Sequence, residues 1–399
     1  MHFHGLDQLE ARGRRVLLRG DLNVPMENGR VADKTRLEKL CPTIRALHDK
    51  GARIIICSHF GSPKGKPVAA LSLRPVAEAL QNVLGLPVHF AGACVGPAAQ
   101  QAACALADGD VLLLENTRFD PREETNDPAF ARELAALADF YVSDAFSAAH
   151  RAHASTEGVA HLLPAYAGRL MQVELDGLDA VLGHPRHPVA AVVGGSKVAS
   201  KLGLLGNLVD RVDVLVLGGA MANTFLAAKG VNVGRSIQEP DMHRAACEIL
   251  ARAANTGCEV MLPLDVVVAG RLAAAVPSHA VLVDQVPADA MILDLGPATM
   301  DALLVRLAGW RSLVWNGPLG AFETPPFDAA TFAFAHGVAQ ATQAGHLTSV
   351  AGGGDTVAAL NRAGVANQLT YVSTAGGAFL EWLEGRVLPG VAALECSAA

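Results

Sequence analysis

An α/β fold, with two parallel-sheet halves linked by a single helix, is predicted by three features of the chain. Short apolar runs alternate with alanine- and leucine-rich segments of helical period along its length, as expected for strands covered by helices on both faces. This rhythm extends over 399 residues, enough for two or three domains at roughly 150 residues each. It is interrupted once, around Pro164 to His187, where Pro164, Gly168, Gly183, Pro185 and Pro188 flank one helical stretch, Leu170–Leu182. A lone helix between two sheet systems makes a stiff connector, so the domains are expected at 1–168 and 169–384.

In the first half the expected strands are Val16–Leu18, Arg53–Cys57, Val111–Leu114 and Phe140–Ser143. The helical segments between them include Leu37–Lys50, Ser72–Leu84 and Ala129–Ala138. The last has Asp127 as its cap and Pro128 in its first turn, a preferred helix start. The second half repeats the rhythm with Val189–Val193, Val214–Leu217, Glu259–Leu262, Met291–Leu293, Leu313–Trp315 and Leu347–Ala351. In such sheets ligands sit beyond the carboxyl ends of the strands, here facing the gap between the halves.

Composition narrows the function. Hydrophobic residues make up 51% and charged residues 18%, which supports large cores and carries no disorder signature. The net charge of −7 argues against nucleic-acid and anionic-membrane partners, which call for a basic face. An anion site must then be a local concentration of positive charge. Seven cysteines without metal-ligand spacing suit reduced thiols better than a disulfide framework. Neither a signal-peptide core at Met1–Asp7 nor an unbroken spanning segment between Val212 and Ala228 is evident, so a soluble cytoplasmic protein is expected.

Cationic and imidazole side chains recur where the first-half strands end. They occur in Arg19-Gly20-Asp21-Leu22-Asn23, Lys34-Thr35-Arg36, Ser58-His59-Phe60-Gly61, Glu115-Asn116-Thr117-Arg118-Phe119 and His150-Arg151-Ala152-His153. Each arginine alone could serve a structural salt bridge. Arg36, Arg118 and Arg151 together point to a small, multiply charged anion, because the planar guanidinium fork matches carboxylate and phosphate. Asp21 and Asn23 could orient a hydroxyl of the same ligand. The histidines could equally be hydrogen-bonded structural residues.

Glycines follow the second-half strands: Gly194-Gly195, Gly218-Gly219, Asn316-Gly317-Pro318, Gly352-Gly353-Gly354-Asp355-Thr356 and Gly376-Gly377. Glycine lets backbone approach phosphate closely, and helix N-termini supply donors. Lys197 and Lys201, four residues apart after the first glycine pair, are expected on one face of a starting helix, beside its positive end. That arrangement suits polyphosphate; two solvated lysines are the ordinary alternative. Asp355 could cap its helix or bind Mg2+ beside a nucleotide, and Glu323 could accept hydrogen bonds from a ribose. Gly61-Ser62-Pro63-Lys64-Gly65-Lys66-Pro67 is no Walker loop, having the wrong spacing and a proline where Ser or Thr is needed. No dinucleotide fingerprint follows the first strand, which disfavours a nicotinamide enzyme.

These motifs, joined by Asp144-Ala145-Phe146, Gly194-Gly195-Ser196-Lys197, Trp315-Asn316-Gly317-Pro318 and Leu388-Pro389-Gly390-Val391, closely resemble the phosphoglycerate kinase family, in its order and along nearly the whole chain. The resemblance implies two doubly wound, Rossmann-like domains facing a cleft, a hinge helix near 170–182, and a C-terminal tail, 385–399, returning to the first domain. It implies the reaction 1,3-bisphosphoglycerate + ADP ⇌ 3-phosphoglycerate + ATP with Mg2+, leaving the direction of flux open, and a monomer. By family pattern Asp21, Asn23, Arg36, His59, Arg118 and Arg151 bind phosphoglycerate. Lys201, Glu323, Gly353, Gly354, Asp355 and Thr356 bind Mg-nucleotide, with Asp355 on the metal. Lys197, Arg36 and the Gly376 backbone cradle the phosphoryl group in flight.

The chain also departs from the family pattern. Ser62 stands where an arginine is usual, Ser147-Ala148 replace Gly-Thr, Ala220 and Ala375 replace glycines, and Tyr371 replaces a histidine. A paralogue that binds without turnover would carry such changes, but Arg36, Lys197 and Asp355 are all kept. A methyl group at Ala375 would restrict the backbone if that position needs φ > 0. Lys64 or Lys66 could partly replace the missing cation at Ser62.

Overall fold

The computed structural model describes residues 3–395; Met1, His2 and the last part of the expected tail, 396–399, lie outside the described residues. The chain divides into two compact units, one formed by the segment up to Leu175 together with the segment from Val387, the other by Asp176–Arg386. The break falls inside a helix, Arg169–Leu178, which continues as a π-turn over Asp179–Gly183.

In the first unit six strands form one parallel sheet. They are β1 (Arg15–Gly20), β2 (Arg53–Cys57), β3 (Val88–Phe90), β4 (Val111–Leu113), β5 (Phe140–Asp144) and β6 (Ala165–Ala167), in the order β3-β4-β2-β1-β5-β6. The central strands consist largely of branched apolar residues: Leu17, Leu18, Ile54, Ile55 and Ile56 are fully buried. Each such side chain contributes roughly 1.5–3 kcal/mol by leaving water. The helix Pro128–Ala135 starts where its cap predicts, with Asp127 Oδ1 accepting from the N–H groups of Ala129 (2.8 Å) and Phe130 (3.1 Å). The helix Arg169–Leu178 is tied to the sheet by Asp144, whose Oδ1 accepts from Met171 N–H at 3.0 Å. The C-terminal helix Pro389–Ala392 packs on this unit, where Gly390 N–H donates to Ala149 O at 2.9 Å.

The second unit carries its own six-stranded parallel sheet and a three-stranded antiparallel one. In chain order its strands are β7 (Val189–Val193), β8 (Val214–Leu217), β9 (Glu259–Met261), β10 (Asp265–Ala269), β11 (Ser278–Leu282), β12 (Met291–Leu295), β13 (Ser312–Asn316), β14 (Thr348–Gly352) and β15 (Tyr371–Ser373). The parallel sheet runs β9-β8-β7-β13-β14-β15 and the antiparallel sheet β11-β10-β12. Trp315 of β13, fully buried, packs edge-to-face on Phe334 with ring centroids 4.9 Å apart.

Met291–Leu293 therefore does not extend the parallel rhythm: β12 pairs antiparallel with β10, Leu295 opposite Val266. A buried apolar run reads the same whichever sheet receives it. Of the strands missed from the sequence, β3, β6 and β15 are three-residue sheet edges, too short to show any alternation, while β10 and β11, five residues each, belong to the unexpected antiparallel sheet. In both parallel sheets the order reverses beside the first strand, between β1 and β5 and between β7 and β13. That reversal opens a crevice at the carboxyl ends.

Candidate functional site

In the first unit, the strand ends bring the expected residues together. Arg36, in the first turn of the helix Thr35–Asp49, reaches Asp21 beyond β1: its Nη1 donates to Asp21 Oδ1 (2.8 Å) and Oδ2 (2.7 Å) and to Asn23 O (2.9 Å). All three bonds use one nitrogen, leaving the rest of the fork for an anion. Asn23 Oδ1 accepts from Gly61 N–H at 2.9 Å, and Arg118 Nη1 donates to Gly61 O at 2.8 Å. The loop after β2 is thus gripped from two sides. Arg118 is buried and faces Glu124 at 3.1 Å, while Arg151 is exposed and donates through Nε to His150 Nε2 at 3.1 Å.

His59 is the electrostatic centre of this group. Burial first, then the positive charges of Arg19, Arg118, Arg151 and Arg36, hold its imidazole well below the usual range. It is neutral at physiological pH. Burial and the same arginines, except Arg36, bring His153 down to about 4. In a chain of net charge −7 this concentration of guanidinium groups is the local positive field that the composition required.

Two contributors were not assigned from the sequence. Arg19 ends the apolar run of β1 but is 1% exposed; a charged residue closing a buried strand was the available signal. Ser147, counted as a departure, donates to Asp21 Oδ2 at 2.5 Å. Ser62, another of the departures, is exposed, as are Lys64 and Lys66 beside it. A Ser62→Arg variant is expected to lower the KM for 3-phosphoglycerate about three- to tenfold, the scale of one added charged contact. An unchanged KM would show that the loop does not face the substrate.

In the second unit the glycines serve close backbone packing first. A Cβ on Gly194 would lie 1.9 Å from Pro318 O, and one on Gly317 (φ 104°) 2.3 Å from Gly194 O. The loops after β7 and β13 therefore touch backbone to backbone at the switch point. Lys201 donates from Nζ into that junction, to Gly194 O at 2.6 Å and to Asn316 O at 3.4 Å. Burial lowers its pKa to about 8, against the opposing pull of Asp355.

The expected lysine pair on one helical face is not formed. Glu239 Oε2 accepts from the N–H groups of Val198 and Ala199 (3.1 Å for the latter), and the helical turn begins only at Ala199. Lys197 lies ahead of it in irregular chain, exposed and without an ion pair among the described residues. A carboxylate from a distant segment thus sets the helix start, which spacing alone does not reveal.

Asp355 is not the cap of its helix, Gly354–Arg362: the cap position is Gly353 (φ 97°), and no side chain bonds there. Its carboxylate stays exposed in the first turn. Thr356 is buried and its Oγ1 accepts from Gly317 N–H at 2.7 Å, pinning two strand-end loops together. Ala375 has φ −88°, so its methyl group imposes no strain; Gly376 (φ 33°) opens the following helix. Gly195, Gly219, Ala220, Glu323 and Asp355 line one cleft of about 210 Å3 whose apolar wall includes Ile237 and Leu272. Among the described residues no three His, Cys, Asp or Glu side chains gather as a metal centre, and none is needed for Mg2+ carried by phosphates, which takes one or two carboxylates.

Asp294, also lining this cleft, is buried; Oδ2 accepts from Ala330 N–H at 2.9 Å while Oδ1 has no partner. Burial raises its pKa to about 7. Because the folded-state value lies above the unfolded one, the native chain holds the extra proton between about pH 4 and 7, and stability falls as pH rises through that window. Asp294→Asn is expected to stabilise the fold relative to the parent more at pH 8 than at pH 4.5, the difference reaching roughly 2–4 kcal/mol of unfolding free energy. Calorimetry giving equal shifts at both pH values would refute this.

Fold and strand ends together define a two-unit α/β protein with phosphate-compatible sites: guanidinium groups in one unit, glycine loops and a buried lysine in the other. The profile of the family described as Phosphoglycerate kinase matches residues 6–386, and the chain belongs to that family. It is 60% identical over 394 residues to the phosphoglycerate kinase of Granulibacter bethesdensis, covering 99% of this chain and 100% of the relative. It is also 60% identical over 392 residues to that of Azorhizobium caulinodans, covering 98% and 99%. The solved structure of phosphoglycerate kinase from Coxiella burnetii superimposes with a TM-score of 0.92 at 40% identity, covering 98% of this chain and 99% of that one. The enzyme from Pyrococcus horikoshii OT3 does so with 0.79 at 29%, covering 98% of each. Among the described residues no helix is long and apolar enough to cross a membrane.

Proposed function

We propose that the chain catalyses reversible phosphoryl transfer from 1,3-bisphosphoglycerate to ADP, giving 3-phosphoglycerate and ATP, a step of glycolysis. The observation that carries it is the group of arginines around the neutral His59, in a chain 60% identical over nearly its whole length to a phosphoglycerate kinase. In this proposal residues 1–168, with the tail 385–399, bind phosphoglycerate and 169–384 bind nucleotide. Arg36, Arg118 and Arg151 hold the anionic groups. Asp21 and Asn23 orient the substrate, and the imidazole of His59 donates to it. Glu323 takes the ribose, while Lys201 and the first-turn N–H groups at Gly353, Gly354, Asp355 and Thr356 hold the phosphates.

Asp355, exposed at a helix start and within the field of Lys201, fits a ligand for nucleotide-borne Mg2+. When bound, the metal neutralises charge on the β- and γ-phosphates. The acceptor in the ATP-consuming direction is a carboxylate, already a nucleophile, so no general base is required. What remains is in-line alignment and cationic stabilisation of the equatorial oxygens; Lys197, Arg36 and the Gly376 backbone are assigned that role. The two ligands bind in separate units and must meet for transfer, so closure precedes chemistry and excludes water that would hydrolyse the acyl phosphate. The reactants are small and soluble, in keeping with a monomeric cytoplasmic enzyme without nucleic-acid or membrane partners. A coupled assay with ATP and 3-phosphoglycerate, joined to calorimetry with ADP, tests this. Turnover and heat are expected; the absence of both would overturn the proposal.

A further inference from the structure

Behind the arginine group of the first unit lies a buried polar chain that substrate binding does not use directly. Arg19 and Ser155 are 1% and 0% exposed, and Glu123 is 0% exposed. Arg19 Nε donates to Ser155 Oγ at 2.9 Å, and Ser155 Oγ in turn lies 2.5 Å from Glu123 Oε1. Glu123 also accepts from Ser155 N–H at 3.0 Å and from Thr117 Oγ1 at 3.3 Å. No direct contact between Arg19 and Glu123 is formed; the serine hydroxyl stands between a buried cation and a buried anion. Ser155 sits in a π-turn, Ala154–Gly158, whose carbonyls at Ser155 and Thr156 accept from Tyr141 Oη at 3.0 and 3.3 Å. Such turns hold a side chain where a regular helix would not place it.

The other end of the chain is His59. Arg19 Nη2 lies 3.0 Å from His59 Nδ1. Arginine carries donors only, so Nδ1 must be the acceptor and the imidazole proton must sit on Nε2. We infer that Ser155 and Glu123 are positioning residues: by fixing Arg19 they lock His59 in the Nε2-protonated neutral tautomer, leaving Nε2–H as a donor for the anionic substrate. This rests on the substrate-binding role proposed for His59. Were the tautomer free, part of the population would present a bare nitrogen lone pair to a carboxylate or phosphate, which repels rather than binds.

Removing the hydroxyl leaves Arg19 Nε and Glu123 both short of a partner in a site closed to water, a situation that draws the guanidinium toward the carboxylate and away from His59. The test is a long-range proton–nitrogen correlation of the 15N-labelled full chain at pH 7, with His59→Gln used to assign the His59 signals. The parent chain is expected to show His59 protonated at Nε2 only. Ser155→Ala is expected to populate both tautomers and raise the KM for 3-phosphoglycerate about tenfold, one misdirected hydrogen bond, with kcat within about twofold because the phosphoryl-stabilising groups are untouched. Ser155→Thr, which keeps the hydroxyl, is expected to restore both. If the alanine variant does not fold, Ser155→Cys, close in volume but a weak hydrogen-bonder, takes its place. Protonation of His59 at Nδ1 in the parent chain, or an alanine variant with unchanged tautomer and KM, overturns the inference. Calorimetry of the parent with 3-phosphoglycerate separates the two levels. Heat with the wrong tautomer sinks this inference alone, whereas no heat sinks the substrate-binding proposal and the positioning role with it.

Discussion

Replacing Lys197 with alanine is expected to lower kcat by about 10²–10³-fold, the usual scale for losing one preorganised charge-stabilising donor. Lys197 is exposed, lies outside any helix, and makes no ion pair among the described residues. Its ammonium group is therefore not committed to holding the fold, and Tm should change by no more than about 2 °C, as for an ordinary surface substitution. Lys201 behaves differently: its Nζ is held by Gly194 O and Asn316 O. It keeps its place in the variant, so the KM for ADP should stay within about threefold while kcat falls, the pattern of an interaction made mainly in the transition state. Steady-state kinetics with both substrates varied decides the matter. Normal turnover would remove Lys197 from the mechanism.

Gly194→Ala carries the largest expected stability effect. Its Cβ would stand 1.9 Å from Pro318 O and 2.8 Å from Pro318 C. Both are backbone atoms of the loop that follows the central strand β13, where no side chain can rotate away. The loops after β7 and β13 must part, at a cost above about 3 kcal/mol, which corresponds to a fall in Tm of roughly 6–12 °C for a unit of this size. Gly194 O also receives Lys201 Nζ, so the same displacement should weaken ADP binding at least about tenfold. Gly354→Ala is the matched control for stability: nothing lies within 4 Å of its Cβ and its φ is not positive, so Tm should barely move. Calorimetric scans giving equal Tm for Gly194→Ala and the parent would show that the junction is not as tight as its geometry states.

These glycines also mark how far sequence reasoning reached. Gly194 and Gly317 were correctly located at strand ends, yet their first duty is backbone contact between loops 123 residues apart in sequence, before any contact with phosphate. Asp355 was placed at a helix start, but only its three-dimensional setting shows that Gly353 occupies the cap position and the carboxylate stays exposed. Asp127, by contrast, was assigned correctly because capping is local: the donor N–H groups lie two and three residues away. Arg53–Cys57, Val189–Val193 and Val214–Leu217 matched to the residue, since buried β-branched runs bounded by polar turns leave little choice of boundary. The contacts of Ser147 and Glu239 escaped notice because each acts on a segment far along the chain, Asp21 and Val198, and nothing in their own neighbourhood announces it.

Local patterns alone determined the parallel α/β architecture, the strand-end locations of the anion-compatible residues and the family, because hydrophobic period, glycine placement and motif order are written residue by residue. Only the tertiary structure decided which side chains meet. It put Arg36 on Asp21, Lys201 on Gly194, and the buried line from Glu123 through Ser155 and Arg19 to His59. A hydrogen bond between distant segments depends on how sheets order their strands, and that order is settled by packing the whole core rather than by any stretch of sequence within it.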